Sequence, residues 1–293
     1  MNVTLVGSST PMFMLAIGAW CFADHMGPAV VDERQGLDVG PHPHMGLQTV
    51  TWLTSGAVLH RDSLGSRQLI RPGQLNLMTA GRAVAHSEVS LGREASGARP
   101  TSLHAVQLWL ALPDSVRNSA PAFQHVEQAR EFRIDGAAGR VFIGEFAGLR
   151  SPAVVHSPIA GVELRVTGRT WLPLRPDWQY ALLVAEGSAI VEAVELATNQ
   201  LAYLEARDRT GVWIDVPAGQ TALLVLLGGE PFTEEIVMWW NFIGRSHDEI
   251  VAMRALWNDQ DSGDAQLAYP KFDDALGGWI PAPELPNVTL RTR

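Results

Sequence analysis

The stretch GPHPHMGLQTVTWL, residues 40–53, places two histidines two residues apart just ahead of an apolar run. Residues two apart on a β-strand point to the same face, so His42 and His44 present their imidazoles side by side. Pro43 between them fixes φ and removes a backbone donor, which suits a strand end or edge. The apolar run stops near Gly56, where another short run, AVLH, begins. The same unit recurs outward along the chain in LNLM (75–78), AVQLWLAL (105–112), YALLVA (180–185) and TALLVLL (221–227), punctuated by 27 glycines and 18 prolines. Short apolar runs bounded by turn residues read as strands of a sandwich or barrel, and the fold class is all-β. PMFMLAIGAWCF, from Pro11 to Phe22, reads as one more buried strand. Helical periodicity is convincing only near the end. There Ser246, with Glu249 three residues on, forms a capping-box signal ahead of Ile250, Met253, Leu256 and Trp257.

At 293 residues the chain is long enough for two domains or one duplicated barrel. Residues 45–60 overlay on 176–192, and 75–89 on 201–216, each a strand, a glycine or polar turn and a second strand. With Gly56 and Gly187 aligned, His42 and His44 fall opposite Pro173 and Arg175; in the other pair of segments, His86 and Glu88 fall opposite Val212 and Ile214. Only the first half keeps histidines and a carboxylate at these places. The polar, proline-bracketed segment Pro113–Pro121 marks the start of a linker region, and the expected division is 1–125 and 126–293.

Composition excludes several classes. Hydrophobic residues are 46% and charged residues 18%, the balance of a folded globular protein. A net charge of -9 disfavours attraction to phosphate backbones, so direct nucleic-acid binding is not expected. The single cysteine, Cys21, rules out an intramolecular disulfide and thiolate-rich zinc sites. No Lys or Arg precedes Arg34, and the run from Pro11 is too short to span a bilayer, so neither a leader nor a membrane span is expected and the expected location is cytoplasmic.

His86-Ser-Glu88 repeats the device of His42-Pro-His44. Two such forks facing one another across a barrel interior would bring three imidazoles and a carboxylate to one point. That donor set, without thiolate, suits a divalent transition metal with open positions. One His-x-His on its own is more often a pair of loop histidines; the second fork is what turns the pattern into a candidate metal site.

At this point the sequence resembles a known family, the pirins of the cupin superfamily. GPHPHMGLQTVTWL, HRDSLGS, IRPGQLNLMTAGRAVAHSE and HAVQLWLALP look like successive pirin signature blocks, in order and at similar spacing. The likeness extends through DHMGP (24–28), GEPFTEEIVMWWNFI (229–243) and IPAPELP (280–286), and is weakest from about 120 to 225. The resemblance implies a bicupin, two jelly-roll-like β-barrels with a short C-terminal helix and tail, and a metal in the first barrel. The pirin ligands fall on His42, His44, His86 and Glu88. The ion implied is Fe(II), with Mn, Ni, Co, Zn or Cu as other possibilities. The activity implied is a quercetin 2,3-dioxygenase type of chemistry on a small phenolic substrate and O₂, with Glu88 as proton acceptor. The alternative is a non-enzymatic redox sensor acting on a regulatory protein partner, although the chain has one lysine, Lys271, and no basic run for docking.

Gln48 stands where cupins often carry a glutamate and is expected to support the site by hydrogen bonding, while Met78 and Arg82 are candidate pocket residues. Met78 reads equally as core, and Arg82 as a turn arginine. His25 and His60 read as capped turns sooner than as site residues, and His104 as a core or edge histidine. His125, His156 and His247 lack ligand-like partners and read as surface positions. Trp239 and Trp240 are expected to pack the C-terminal helix against a barrel.

Overall fold

The computed structural model describes residues 3–7, 12–32, 36–90, 101–204, 210–272, 274 and 278–292, apart from the side chains of 3–7, 12–16 and 101. Strands dominate, and every strand pair is antiparallel. They form two barrels, each a large sheet facing a four-stranded one.

In the first barrel the large sheet runs, in spatial order, 122–126, 75–79, 47–55, 101–111, 20–31 and 12–17. The small sheet runs 38–44, 84–90, 58–62 and 67–70. In the second barrel the small sheet runs 170–173, 211–215, 188–191 and 194–197, the same connectivity shifted along the chain. This repeat of strand order is the duplication that the overlay anticipated. The run from Pro11 divides into strands Met12–Ile17 and Trp20–Val31 around a turn at Gly18 and Ala19, with residue 11 outside the described residues.

The large sheets pack back to back. Trp20, Val50, Trp52, Leu75, Leu77, Val106 and Leu108 of the first meet Phe142, Ile143, Ala181, Leu183, Leu223, Val225 and Leu227 of the second in one buried cluster. Trp52 stacks on Phe142 with ring centroids 4.9 Å apart, and its indole donates to the buried Glu163 carboxylate at 2.9 Å. The Trp20 indole donates to the Gly228 carbonyl at 3.0 Å, so both tryptophans satisfy their one polar atom across the joint. Burying side chains of this size stabilises by roughly 1.5–3 kcal/mol each, which makes this joint the mechanical centre of the molecule.

The barrels also trade segments. Strand Val3–Gly7 pairs with Gln200–Leu204 in the second barrel's large sheet, and so lies outside the barrel to which the expected 1–125 division assigned it. The expected boundary falls one residue before the end of Ala122–Val126, the last strand of the first barrel. In the other direction, the segment after strand Ala222–Gly229 returns to the first barrel. Met45 bridges Phe242, the Ile243 amide donates to the Met45 carbonyl at 3.0 Å, and the Ile280 amide donates to the Pro41 carbonyl at 2.8 Å. The helix His247–Asn258 braces this return: Asn258 makes two hydrogen bonds with Ala282, and the Trp257 indole donates to the Ile280 carbonyl. Trp239 and Trp240 pack beside Trp257, Ile250, Met45 and Ala85. Ser246 caps the helix through the Glu249 amide, while the Glu249 carboxylate accepts instead from Arg117 and the Arg245 amide, tying the helix to the first barrel. A second short helix, Gly263–Ala268, follows. No helix among the described residues is long and apolar enough to cross a membrane.

Gly46 sits where this return touches the strand carrying the histidines. Its φ is +74°, and a Cβ there would lie 2.1 Å from the Ile243 carbonyl oxygen. Gly65 shares a positive φ, +88°, with nothing within 4 Å of such a Cβ. Gly46→Ala should therefore lower stability by about 1–3 kcal/mol more than Gly65→Ala, since only the first adds a backbone clash to conformational strain. Urea unfolding of the two variants measures the difference, and equal losses would contradict the clash.

Candidate metal centre

The small sheet of the first barrel builds the site. In the antiparallel register His42 lies across from His86, and His86 lies across from Asp62 on its other side. Glu88 is likewise opposite His60. Because side chains alternate, His42, His44, His86, Glu88, His60 and Asp62 all project from one face of three adjacent strands. The forks are therefore neighbours in one sheet, not opposed across the interior as the sequence suggested. A register shift between Val39 and His42, over Gly40 and Pro41, sets which residues of the first strand meet this face.

All six side chains are buried. Two overlapping triads of donor atoms arise, each with its atoms within 4.8 Å of one another: His42, His44 and His86, and His60, His86 and Glu88. Three of the four residues expected as ligands thus share one point. Glu88 joins them through His86, on the side where His60 stands.

The donor atoms fit a cation. His42 Nδ1 lies 2.9 Å from the Gly40 carbonyl, an acceptor, so it donates there and leaves Nε2 with a lone pair. His44 Nε2 and His86 Nε2 are 3.1 Å apart, about the spacing of two nitrogens sharing an ion with bonds of about 2.0–2.1 Å. His44 turns Nε2 to His86 and lies beside the Asn241 backbone on its other side, an acceptor that can take the Nδ1 proton and leave Nε2 bare. Burial pushes His42 down from 6.5 to about 4 and holds His44 and His86 well below the usual histidine range, with His42 adding to the depression of both. All three imidazoles are neutral at pH 7, the form that ligates metals.

Glu88 is held by two donors from the large sheet opposite: Thr51 Oγ1 to Oε1 at 3.1 Å and Gln107 Nε2 to Oε2 at 3.3 Å. Burial raises its pKa despite the contributions of His60 and Thr51. Neither Thr51 nor Gln107 stands out in the sequence, although Thr51, Gln107 and Asn76 occupy matching places on three adjacent strands. Gln48 alternates with Thr49 and Thr51 and faces the other way. Its amide donates to Thr79 Oγ1 and to the Val154 carbonyl of the second barrel, so it serves the joint and not the site. Met78 is buried in a small cluster with Ala80, Val84 and Phe123, and the Phe123 ring stacks on His60 at 4.5 Å. Arg82 is exposed in the turn before the strand of His86, its amide bonded to the Ser119 carbonyl.

The sequence suggests a turn residue at His60, whereas it is a buried member of the centre, with Nε2 3.1 Å from Asp62 Oδ2 and Nδ1 3.3 Å from His86 Nδ1. The signal was present: His60-Arg-Asp62 is a third fork of the same two-residue spacing. His25 and His104 are buried and joined, Nε2 to Nε2, at 2.7 Å, with His25 also bonded to Asn199 of the second barrel. His156 is exposed, whereas His125 and His247 are half-buried and engaged with Asn76 and the Leu290 amide. Cys21 is buried away from these groups in the cluster of Leu47, Trp109 and Ile243, and burial pushes its thiol up to about 12.

Comparison with known proteins assigns the chain. The Pirin profile matches residues 8–110, and that of the Pirin C-terminal cupin domain matches residues 159–263. The chain belongs to the pirin family. This pirin is 44% identical over 272 residues to a Pseudomonas aeruginosa protein named as a candidate quercetin 2,3-dioxygenase, covering 92% of this chain and 82% of that one. It is 33% identical to a pirin-like protein of Caulobacter vibrioides, covering 92% and 90%. It also superposes on the crystal structure of a quercetin 2,3-dioxygenase from Acinetobacter baumannii with a TM-score of 0.87 and 39% identity, covering 99% and 92%. Both of its barrels are cupin domains, and in its second barrel the register replaces the centre by apolar residues. Leu172 stands across from Val212 as His42 does from His86, and Val191 across from Ile214 as His60 does from Glu88. The overlay's partners for His42 and His44, Pro173 and Arg175, were one residue out of step; Leu172 and Leu174 occupy those places, buried in that barrel's core.

The depressed imidazoles link the site to acid stability. Between about pH 4 and 6.5 the unfolded chain takes up protons at His42 that the folded chain refuses, so stability is complete above 6.5 and declines as pH falls toward 4. His44 and His86 act in the same sense, and Glu88, raised by burial, opposes them as one group against three. The metal-free protein should lose about 1.4 kcal/mol per pH unit for each such histidine on acidification, and His42→Gln should make the decline shallower. Denaturant unfolding at several pH values checks this, and a flat profile would contradict it.

Proposed function

We propose that this pirin is a metal-dependent dioxygenase of the quercetin 2,3-dioxygenase type, acting on flavonol-like phenols with iron as the resident ion. The observation that carries the reading is the convergence of three neutral buried imidazoles beside a buried carboxylate of raised pKa. The names of the P. aeruginosa relative and the A. baumannii structure support the substrate class. The proposed ligands are His42, His44 and His86, with Glu88 completing the set on the His86 side.

A redox-capable divalent ion held there supplies a Lewis acid for a deprotonated hydroxyl and a route for electrons to dioxygen. The protein's own part is proton transfer and orientation. Glu88 accepts the proton of the flavonol hydroxyl, and its raised pKa moves it closer to the working pH, which makes it a stronger base than a solvated carboxylate. Thr51 and Gln107 fix the carboxylate by donating to its two oxygens, so the proton acceptor does not swing away as charge changes. The apolar groups beneath the imidazoles, among them Trp109 with its ring 5.2 Å from that of His44, keep bulk water from the donor nitrogens.

Anaerobic loading with Fe(II), followed by quercetin and several other flavonols in an oxygen electrode, tests the reading. Metal-dependent O₂ uptake is expected. Glu88→Gln should lower turnover by roughly 10²–10⁴-fold with the unfolding midpoint nearly unchanged, because the amide keeps the shape and removes the base. No metal-dependent uptake with any flavonol would sink the assignment.

A further inference from the structure

The third fork, His60 and Asp62, has no part in the reading above, yet both side chains are about 1% exposed and reach the ligands. Hydrogen-bond logic constrains what they do. Asp62 Oδ1 accepts from the amides of Leu64 and Ser66, each at 2.9 Å, while Oδ2 faces His60 Nε2. Burial acts to raise the Asp62 pKa, but hydrogen bonds from His60 and Ser66 outweigh it and hold the group in the carboxylate form. A carboxylate only accepts, so His60 carries a proton on Nε2, and its neutral ring then presents a lone pair at Nδ1. His86 Nδ1, 3.3 Å away, then donates to that lone pair, and the proton on Nδ1 leaves His86 Nε2 bare, facing His44. Phe123, stacked on His60, holds the ring in this plane.

We infer that Asp62 and His60 form a relay of fixed tautomers that turns the bare nitrogen of His86 toward His42 and His44. Asp62 and His60 are positioning residues: they act on the ion only through His86. Ligating histidines ordinarily donate their second nitrogen to a carbonyl or carboxylate, as His42 does to Gly40. Here the carboxylate acts one imidazole further away. The consequence for metal binding rests on the assignment of His86 as a ligand; the tautomers themselves do not.

Substitution at Asp62 tests the direction of the relay. In Asp62→Asn the two backbone amides still demand an oxygen at the Oδ1 place, so the amide NH₂ is forced to face His60 Nε2. Donor then meets donor unless His60 moves its proton to Nδ1, which in turn drives His86 to protonate Nε2, the ligand nitrogen. Asp62→Glu keeps the acceptor and should keep the tautomers.

The experiment is two-bond ¹H–¹⁵N correlation of the histidine rings in the metal-free full chain at one neutral pH, paired with Ni(II) titration by calorimetry. Wild type should show His60 protonated on Nε2 alone and His86 on Nδ1 alone. Asp62→Asn should reverse both and weaken Ni(II) binding by roughly 10–100-fold, with Asp62→Glu close to wild type. His60→Phe, which keeps the stack on Phe123 and removes the acceptor, provides a second route if Asp62→Asn does not fold: His86 should then populate both tautomers. His86 protonated on Nε2 in wild type, His60 protonated on both nitrogens, or unchanged tautomers in Asp62→Asn would each overturn the relay. Wild-type tautomers as stated with no Ni(II) bound would instead sink the ligand assignment and leave the relay standing.

Discussion

One pairing sets the rest: the register that puts His42 across from His86 and His86 across from Asp62. Side chains alternate along a strand, so a slip of one residue at either pairing would turn a whole fork out of the barrel and bring apolar or solvent-facing residues in. Several unrelated contacts hold the register. The irregularity at Gly40 and Pro41 is matched by the Ile280 amide on Pro41, and the Met45 carbonyl is taken by Ile243. The strand carrying His42 and His44 is an edge of its sheet, and the returning C-terminal segment covers part of that edge. An open edge is the place where pairing is most easily lost or diverted.

The second barrel shows what the site costs by doing without it. Its small sheet has the same strand order, yet Leu172, Leu174, Val191, Val212 and Ile214 fill the face where the first barrel carries imidazoles and carboxylates. Buried polar groups are destabilising unless each finds a partner, at about 1–3 kcal/mol for every one left unmade. In the first barrel that requirement reaches outward to Gly40, Thr51, Gln107, Leu64 and Ser66, none of them a ligand. The apolar joint between the barrels adds buried apolar surface to that of the first barrel's own interior clusters. Duplication here separates two tasks, with one copy keeping the chemistry and the other the packing.

The sequence displayed the strand forks directly, because a two-residue period needs no knowledge of tertiary structure. It displayed the barrel repeat too, through glycines and apolar runs. What it could not display was which strand lies beside which: two forks facing across an interior and two forks on adjacent strands have the same spacing. The irregularity at Gly40 and Pro41 is invisible for the same reason, and the overlay runs one residue out of step because His42 stands 14 residues before Gly56 whereas Leu172 stands 15 before Gly187. Gln48 was misplaced although the rule that corrects it was available, since it is out of phase with Thr51. His60 is hard to single out because a lone histidine in a turn-like segment is commonplace; Asp62 two residues on is the other half of the pattern.

The exchange of segments between barrels bears on how such a chain is made. The strand Val3–Gly7 leaves the ribosome early, but its partner, Gln200–Leu204, follows about 200 residues later, a wait of roughly 10–40 s at ordinary rates of synthesis. The first barrel can close its sheets in that interval, yet the edge beside His42 is covered only after Ile280 has been made. During translation the histidines therefore sit in a barrel whose edge is still bare. An ion taken up at that stage would enter a site whose edge is still open, and one taken up later would enter a site already closed by the chain from residue 280 onward.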